Sequence, residues 1–354
     1  MILEVGVLRQ CEVRLEVSEH VGRVRQGRMG VDFAGGVEGS RSKVLSRRQK
    51  LVGFVREEME EEYWAKACEQ SVQGKWTLWK DFNQRVITWR SIVYADPKLV
   101  RFCIGSTYDT LASPANLKRW GLSPNSDCLV CKGDKCTIAH VLSGCSKVLG
   151  QGRYRYRHDC VLRVLCHHLA GFINNRPKVG SVQTIGVQFV PAGSKARVGR
   201  KPGADTGLLL STKDWVFLSD LDRKLVFPPH IYRTLLRPDI VIYGEAEKVI
   251  IMVELTCPCE ENFAARHEDK LTKYSDLAAS CRENGWRAYL YAVEVGARGF
   301  TAQSLTTCLR DLGLKNRPLK NCLKAVGDEA LRTSFWIWHL REEEVWGRIG
   351  YAKR

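Results

Sequence analysis

The sequence predicts a mixed α/β fold: a sheet built around a central hairpin and flanked by helices, behind a helical N-terminal region and a small cysteine-rich knuckle. Three observations predict it. Two apolar, β-branched runs flank a short polar turn between Arg237 and Thr256, stretches of helical periodicity lie on either side, and cysteines crowd between Cys128 and Cys145 at metal-ligand spacings. With 354 residues, 44% of them apolar, and 10 Trp, the chain has material for two or three domains with real cores.

The formal net charge of +16 and a pI near 9.3 create a field that attracts polyanions, because each phosphate neutralised by Lys or Arg releases condensed counterions. Nucleic acid is the expected partner; the plainer alternative is a basic protein that binds polyanions or membrane surfaces without specificity. The 14 Cys are too sparse for a small secreted disulfide scaffold. Those outside the knuckle, among them Cys11, Cys68, Cys103, Cys281, Cys308 and Cys322, are scattered like small core residues, which fits a reducing compartment. The stretch Met1 to Arg9 has no basic segment followed by an apolar one, and no apolar run approaches membrane-spanning length, so a soluble protein without a secretion signal is expected.

Residues 1–45 mix Gly and Arg without steady periodicity and read as a basic arm with no assigned structure. The helical region, 46–122, opens with Leu51, Phe54, Val55, Met59, Tyr63 and Trp64 at helix-like spacing; a second helix is expected to hold Trp76, Trp79, Phe82 and Val86. Phe102, Ile104, Tyr108 and Leu111 suggest a further helix, closed by a proline turn at Ser113-Pro114. The knuckle and the helix after it, His158 to Phe172, occupy 123–176. A Gly, Pro and Lys-rich stretch, 177–207, reads as a flexible linker before the sheet-bearing region, 208–354. That last region is expected to run hairpin, polar helix (about Asn262 to Asn284), strand (Trp286 to Val295) and two terminal helices.

The knuckle reads Cys128-x2-Cys131-x8-His140-x4-Cys145: three thiolates and an imidazole, the donor set of a structural zinc site with no open position for water. Cys136 is an alternative ligand that can replace Cys145 or His140. With so little room for a core inside the loop, the metal is expected to supply much of its folding energy.

In the hairpin, a loop of four residues, 245–248, sets a register that places Asp239 directly opposite Glu254. Like charges placed opposite one another repel, and a hard divalent cation such as Mg²⁺ or Mn²⁺ resolves that repulsion. On the following helix Phe263, His267, Lys270, Tyr274, Leu277 and Cys281 form one stripe, which points Lys270 toward the acids; Lys273 is its rival. His267 by itself reads as a structural histidine. Two carboxylates, a cation and a lysine suit metal-assisted hydrolysis of a phosphodiester.

Arg237-Pro-Asp-Ile-Val-Ile, Val253-Glu-Leu-Thr-Cys-Pro, His267-Glu-Asp-Lys-Leu-Thr-Lys-Tyr and Val293-Glu-Val-Gly-Ala-Arg-Gly-Phe together resemble the PD-(D/E)xK restriction-like endonuclease of site-specific non-LTR retrotransposons. The resemblance extends upstream through Gln73-Gly-Lys-Trp, Ser113-Pro-Ala-Asn-Leu, the knuckle and Arg155-Tyr-Arg-His-Asp-Cys, covering roughly 46–313. It implies a linker, a Cys-Cys-His-Cys knuckle and a nuclease that bind target DNA, and the element's RNA as well, and nick DNA for target-primed reverse transcription. Two departures stand out. Thr256 occupies the family's usual lysine position, so that role passes to Lys270 or Lys273. There is no Tyr-x-Asp-Asp polymerase motif, and the chain reads as a remnant unable to copy nucleic acid by itself. The competing expectation is a non-catalytic DNA-binding protein in which the knuckle, the Arg153 to Arg157 cluster and the basic linker grip phosphate. A nuclear location is expected because the substrate is there; basic runs such as Arg41 to Lys50 add little.

Overall fold

The computed structural model describes residues 47–85, 87–88, 92–133, 135–175, 207–221, 225–343 and 346. The basic arm, all of the linker except Gly207, and Val86 of the expected second helix lie outside the described residues. In chain order come α1 (Arg47–Glu69), a 3-10 turn (Lys75–Leu78), α2 (Pro97–Thr107), α3 (Pro114–Arg119), a π turn (His140–Gly144), α4 (Ser146–Gly150) and α5 (Arg153–Asn174). Then follow β1 (Trp215–Ser219), β2 (Ile240–Gly244), β3 (Val249–Thr256), α6 (Phe263–Glu283), β4 (Arg287–Glu294), α7 (Gln303–Leu312) and α8 (Asn316–His339).

The fold is mixed α/β around one four-stranded sheet, ordered β1-β2-β3-β4. The first three strands are antiparallel; β3 and β4 are parallel, joined through α6. The hairpin has the expected register, Ile240 facing Val253 and Gly244 facing Val249. β3 is apolar at nearly every position because it is central and covered on both sides. One face packs Ile240, Ile242, Ile251 and Val253 against Val161, Leu162 and Leu165 of α5, Leu305 and Leu309 of α7, and Val326 of α8. The other packs Val241, Ile250 and Met252 against Tyr274, Leu277 and Cys281 of α6, the stripe read from the sequence. Thus α5, which the sequence groups with the knuckle, belongs by packing to the sheet. Among the described residues no helix is long and apolar enough to cross a membrane.

Two N-terminal expectations need correction. The segment holding Trp76, Trp79 and Phe82 is no α-helix: Trp76 lies in the 3-10 turn, the chain bends at Asp81 (φ 57°), and Phe82 bridges to Ala302. Trp79, Phe82 and Phe300 meet edge to face at 5.5–6.2 Å, and the Asn83 amide donates to the Thr301 and Ala302 carbonyls. Packing on the loop after β4 outweighs helical periodicity here. Likewise Pro114 opens α3 rather than closing a turn, with the Ser113 hydroxyl accepting from the Asn116 N–H. On α1 only Trp64 of the expected stripe is buried, because the helix meets the body through Trp64 against Trp76.

Arg298 ties the helical region to the sheet. Its Nη1 contacts Glu260 at 2.7 Å and Glu261 at 2.9 Å, its Nε donates to the Ser106 carbonyl, and its guanidinium lies over Trp79. Gly296 makes this possible, since a Cβ there would lie 2.2 Å from Glu260 Oε1. That carboxylate cannot swing aside, being buried and held by both the Arg298 backbone N–H and its side chain. Gly296→Ala is therefore expected to destabilise the protein by about 1–3 kcal/mol in urea unfolding, the cost of overpacking.

Candidate active site and metal centre

The knuckle converges on one point. The donor atoms of Cys128, Cys131, His140 and Cys145 all lie within 4.8 Å of one another, with Cys128 Sγ 3.9 Å from Cys145 Sγ and Cys131 Sγ 3.4 Å from His140 Nε2. Donors around tetrahedral zinc are about 3.3–3.8 Å apart, as bonds of about 2.0–2.3 Å require, so the cluster can hold a metal such as zinc. The backbone builds it locally. Cys128 N–H donates to the Gly133 carbonyl, Lys132 N–H to the Cys128 carbonyl, and Gly133 N–H points at Cys131 Sγ. Thr137 caps His140, and Tyr154 accepts from the Cys145 N–H while donating to the carbonyls at 140 and 141.

Burial works against a thiolate at Cys128, but the N–H groups of Cys131 and Val130, with His140, bring it down to about 6. Cys145 is pushed up to about 11 by burial, eased by the Val148 N–H and raised further by the Cys131 and Cys128 sulfurs. Sulfurs that oppose one another's ionisation are what a divalent cation stabilises. Cys136, the alternative ligand, is outside this group of four. It is buried beside the cluster and pushed up to about 12, first by burial and then by Cys128.

The expectation of a knuckle without a core is corrected: Val141, Leu142 and Val148 share a cluster with Phe102 of α2, Ile337 and Trp338 of α8, and Cys259. Arg157 pins it down, donating to the Leu142 carbonyl (2.8 Å), Ser334 Oγ (3.0 Å) and the Cys257 carbonyl just after β3 (2.6 Å). Arg153 is buried too, held by the Leu340 and Glu343 carbonyls. These two arginines therefore serve the interior and do not grip phosphate.

The second constellation lies where the α6 face of the sheet turns from apolar to charged. Asp239 and Glu254 stand opposite each other, and the Asp239 N–H lies 3.2 Å from Glu254 Oε2. Asp239 Oδ2 accepts from the Leu255 N–H at 2.8 Å. Lys270 Nζ is 2.6 Å from Glu254 Oε1; Lys273 Nζ is 4.0 Å from the same oxygen and donates to the Tyr274 hydroxyl. Both lysines thus reach the acids, with Lys270 in direct hydrogen bond. Glu254 is raised above the ordinary carboxyl range by burial first and by Asp239 second, against the pull of Lys270. A pair of acids so placed suits a hard cation such as Mg²⁺ or Mn²⁺, which would relieve both effects.

His158 is the site residue that sequence reasoning missed. Its Nε2 is 3.2 Å from both Asp239 Oδ2 and the Leu255 carbonyl oxygen, and its Nδ1 is 3.0 Å from Asp159 Oδ1. Every one of these partners is an acceptor, so both ring nitrogens donate and the ring is an imidazolium. Burial opposes that charge, but hydrogen bonds to Asp159 and Asp239 outweigh it and hold the ring up to about 10. The signal was its place in α5: Val161, Leu162 and Leu165 face the sheet three, four and seven residues later. Thr256 has its Oγ1 buried with no hydrogen-bond partner among the described residues.

Comparison with protein-family models finds no match, and comparison with curated proteins finds none either.

Elemental analysis of purified protein should give one zinc per chain, kept in Cys136→Ser and lost in Cys128→Ser and Cys145→Ser. Loss of zinc from Cys136→Ser as well would overturn the ligand set.

Proposed function

We propose that the chain is a metal-dependent DNA endonuclease with a restriction-like PD-(D/E)xK core, related to the nuclease region of site-specific non-LTR retrotransposons. The observation that carries the reading is the meeting of Asp239, Glu254 and Lys270 at the polar end of a sheet that is otherwise apolar on that face. A net charge of +16 supports DNA as the substrate and the nucleus as its setting.

Asp239 and Glu254 would hold Mg²⁺ or Mn²⁺. Bound there, the ion would make a water more acidic and offset charge on the leaving oxygen. The side chains do the rest. Lys270 keeps an ammonium beside Glu254, where it can orient the attacking water or meet charge building on the phosphate. His158 fixes the Asp239 carboxylate from the α5 side and keeps the Leu255 carbonyl in line with it. The water oxygen bonds to phosphorus as the bond to the leaving oxygen breaks, the water giving up a proton to solvent and the leaving oxygen taking one from it, which divides the DNA strand.

The alternative, a non-catalytic zinc-knuckle DNA-binding protein, loses two of its phosphate contacts because Arg153 and Arg157 are interior. Supercoiled plasmid separates the two readings. With Mg²⁺ or Mn²⁺ the parent protein should nick it, Asp239→Asn and Glu254→Gln should not, and Lys270→Ala should be slower by about a hundredfold or more. Salt-sensitive DNA binding without nicking by any of them, all folded and zinc-loaded, would favour the binding protein instead.

A further inference from the structure

Beyond the acid pair, a second polar tier lies on the same face. The parallel register sets Glu254 beside Ala292 and Thr256 beside Glu294, so the Glu294 side chain faces α6 two residues nearer the strand ends than the catalytic acid. α6 answers in step: Lys270 meets Glu254, and His267, three residues earlier, meets Glu294 with Nδ1 at 3.1 Å from Oε1. The other Glu294 oxygen accepts from Ser304 Oγ at 2.5 Å.

The two ends of this tier differ in exposure. The Glu294 side chain is 2% exposed, whereas that of His267 is 37% exposed. Burial raises the Glu294 carboxyl, against the pull of Ser304 and His267. A buried carboxylate fixed by a serine on one side thus holds one nitrogen of an imidazole whose outer edge is open. Nε2, the nitrogen left over, makes no hydrogen bond among the described residues. Lys270 and Lys273 follow on the same helix at intervals of three residues, about 4.5 Å of axis each. With both ammoniums drawn toward Glu254 Oε1, the three side chains gather cationic or hydrogen-bond-donating groups beside the acid pair, suited to DNA phosphates.

We infer that His267 is a DNA-contacting residue of this site: Glu294, itself fixed by Ser304, holds its Nδ1–H, and in the imidazolium form its Nε2–H donates to the phosphate adjoining the one at Lys270. The inference rests on the nuclease reading and extends it to a residue whose helical position alone gives it no role. Glu294 and Ser304 are positioning residues, acting through the imidazole.

The test is a protein-by-substrate cycle on a duplex that carries the mapped nick site, with single neutral methylphosphonates placed one at a time around it. At the phosphate next to the scissile one, the substitution should slow single-turnover nicking by the parent about tenfold or more, the scale of a hydrogen bond to a charged group. His267→Ala should be slow on the unmodified duplex and insensitive to methylphosphonate at that one position. His267→Gln, which keeps a donor, should recover part of the sensitivity, and Glu294→Gln should show an intermediate profile. Melting temperature and zinc content are measured for each variant. A purely structural His267 would slow all substrates alike and leave the methylphosphonate profile that of the parent, which overturns the inference while the nuclease reading stands. A parent that nicks no DNA removes both together.

Discussion

Two carboxylates forced to face each other at the edge of an apolar layer are the constraint around which this structure is arranged. The hairpin register leaves Asp239 and Glu254 no way to avoid one another, since a slip of one residue would turn Ile250, Met252 and Val241 out of the core. Burial of Glu254 sharpens the conflict. The protein surrounds the pair with positive charge from two directions: Lys270 from α6 on one side and the His158 imidazolium from α5 on the other. The two helices cover opposite faces of the sheet, so its packing is also what assembles the site.

The link to the knuckle follows from one helix. Arg157 and His158 are neighbours in α5; the first binds the π turn that carries His140 and the strand-end carbonyl of Cys257, and the second binds Asp239. Ser143 also donates to Cys259 Sγ in the loop that leads from β3 into α6. A metal held by the knuckle thus supports the turn against which that loop is packed. Although knuckle and hairpin are about a hundred residues apart in the chain, they share walls.

Much of the sheet-bearing half was legible in sequence because it is governed by short-range rules. A four-residue loop sets the register, a stripe at steps of three and four orients α6, and the apolar run of β3 announces a central strand. What was not legible depends on long-range contacts. Trp76, Trp79 and Phe82 have helical spacing, yet Trp79 and Phe82 follow Phe300 of the loop after β4 and Trp76 packs on Trp64 and Tyr108. His158 becomes a site residue only once α5 lies across the hairpin, and Glu294 finds His267 only through a parallel register that no local pattern encodes. Cys136 had acceptable spacing for a ligand, yet the four donor atoms that converge are those of Cys128, Cys131, His140 and Cys145.

Anomalous diffraction from crystals soaked in Mn²⁺ would reveal whether Asp239 and Glu254 together hold a divalent cation. The expected result is an anomalous peak within bonding distance of both carboxylates, with Lys270 Nζ shifted from its 2.6 Å contact with Glu254. Manganese absent from that position, with the Lys270 contact unchanged at saturating metal, would contradict it and leave the pair as a lysine-neutralised structural feature.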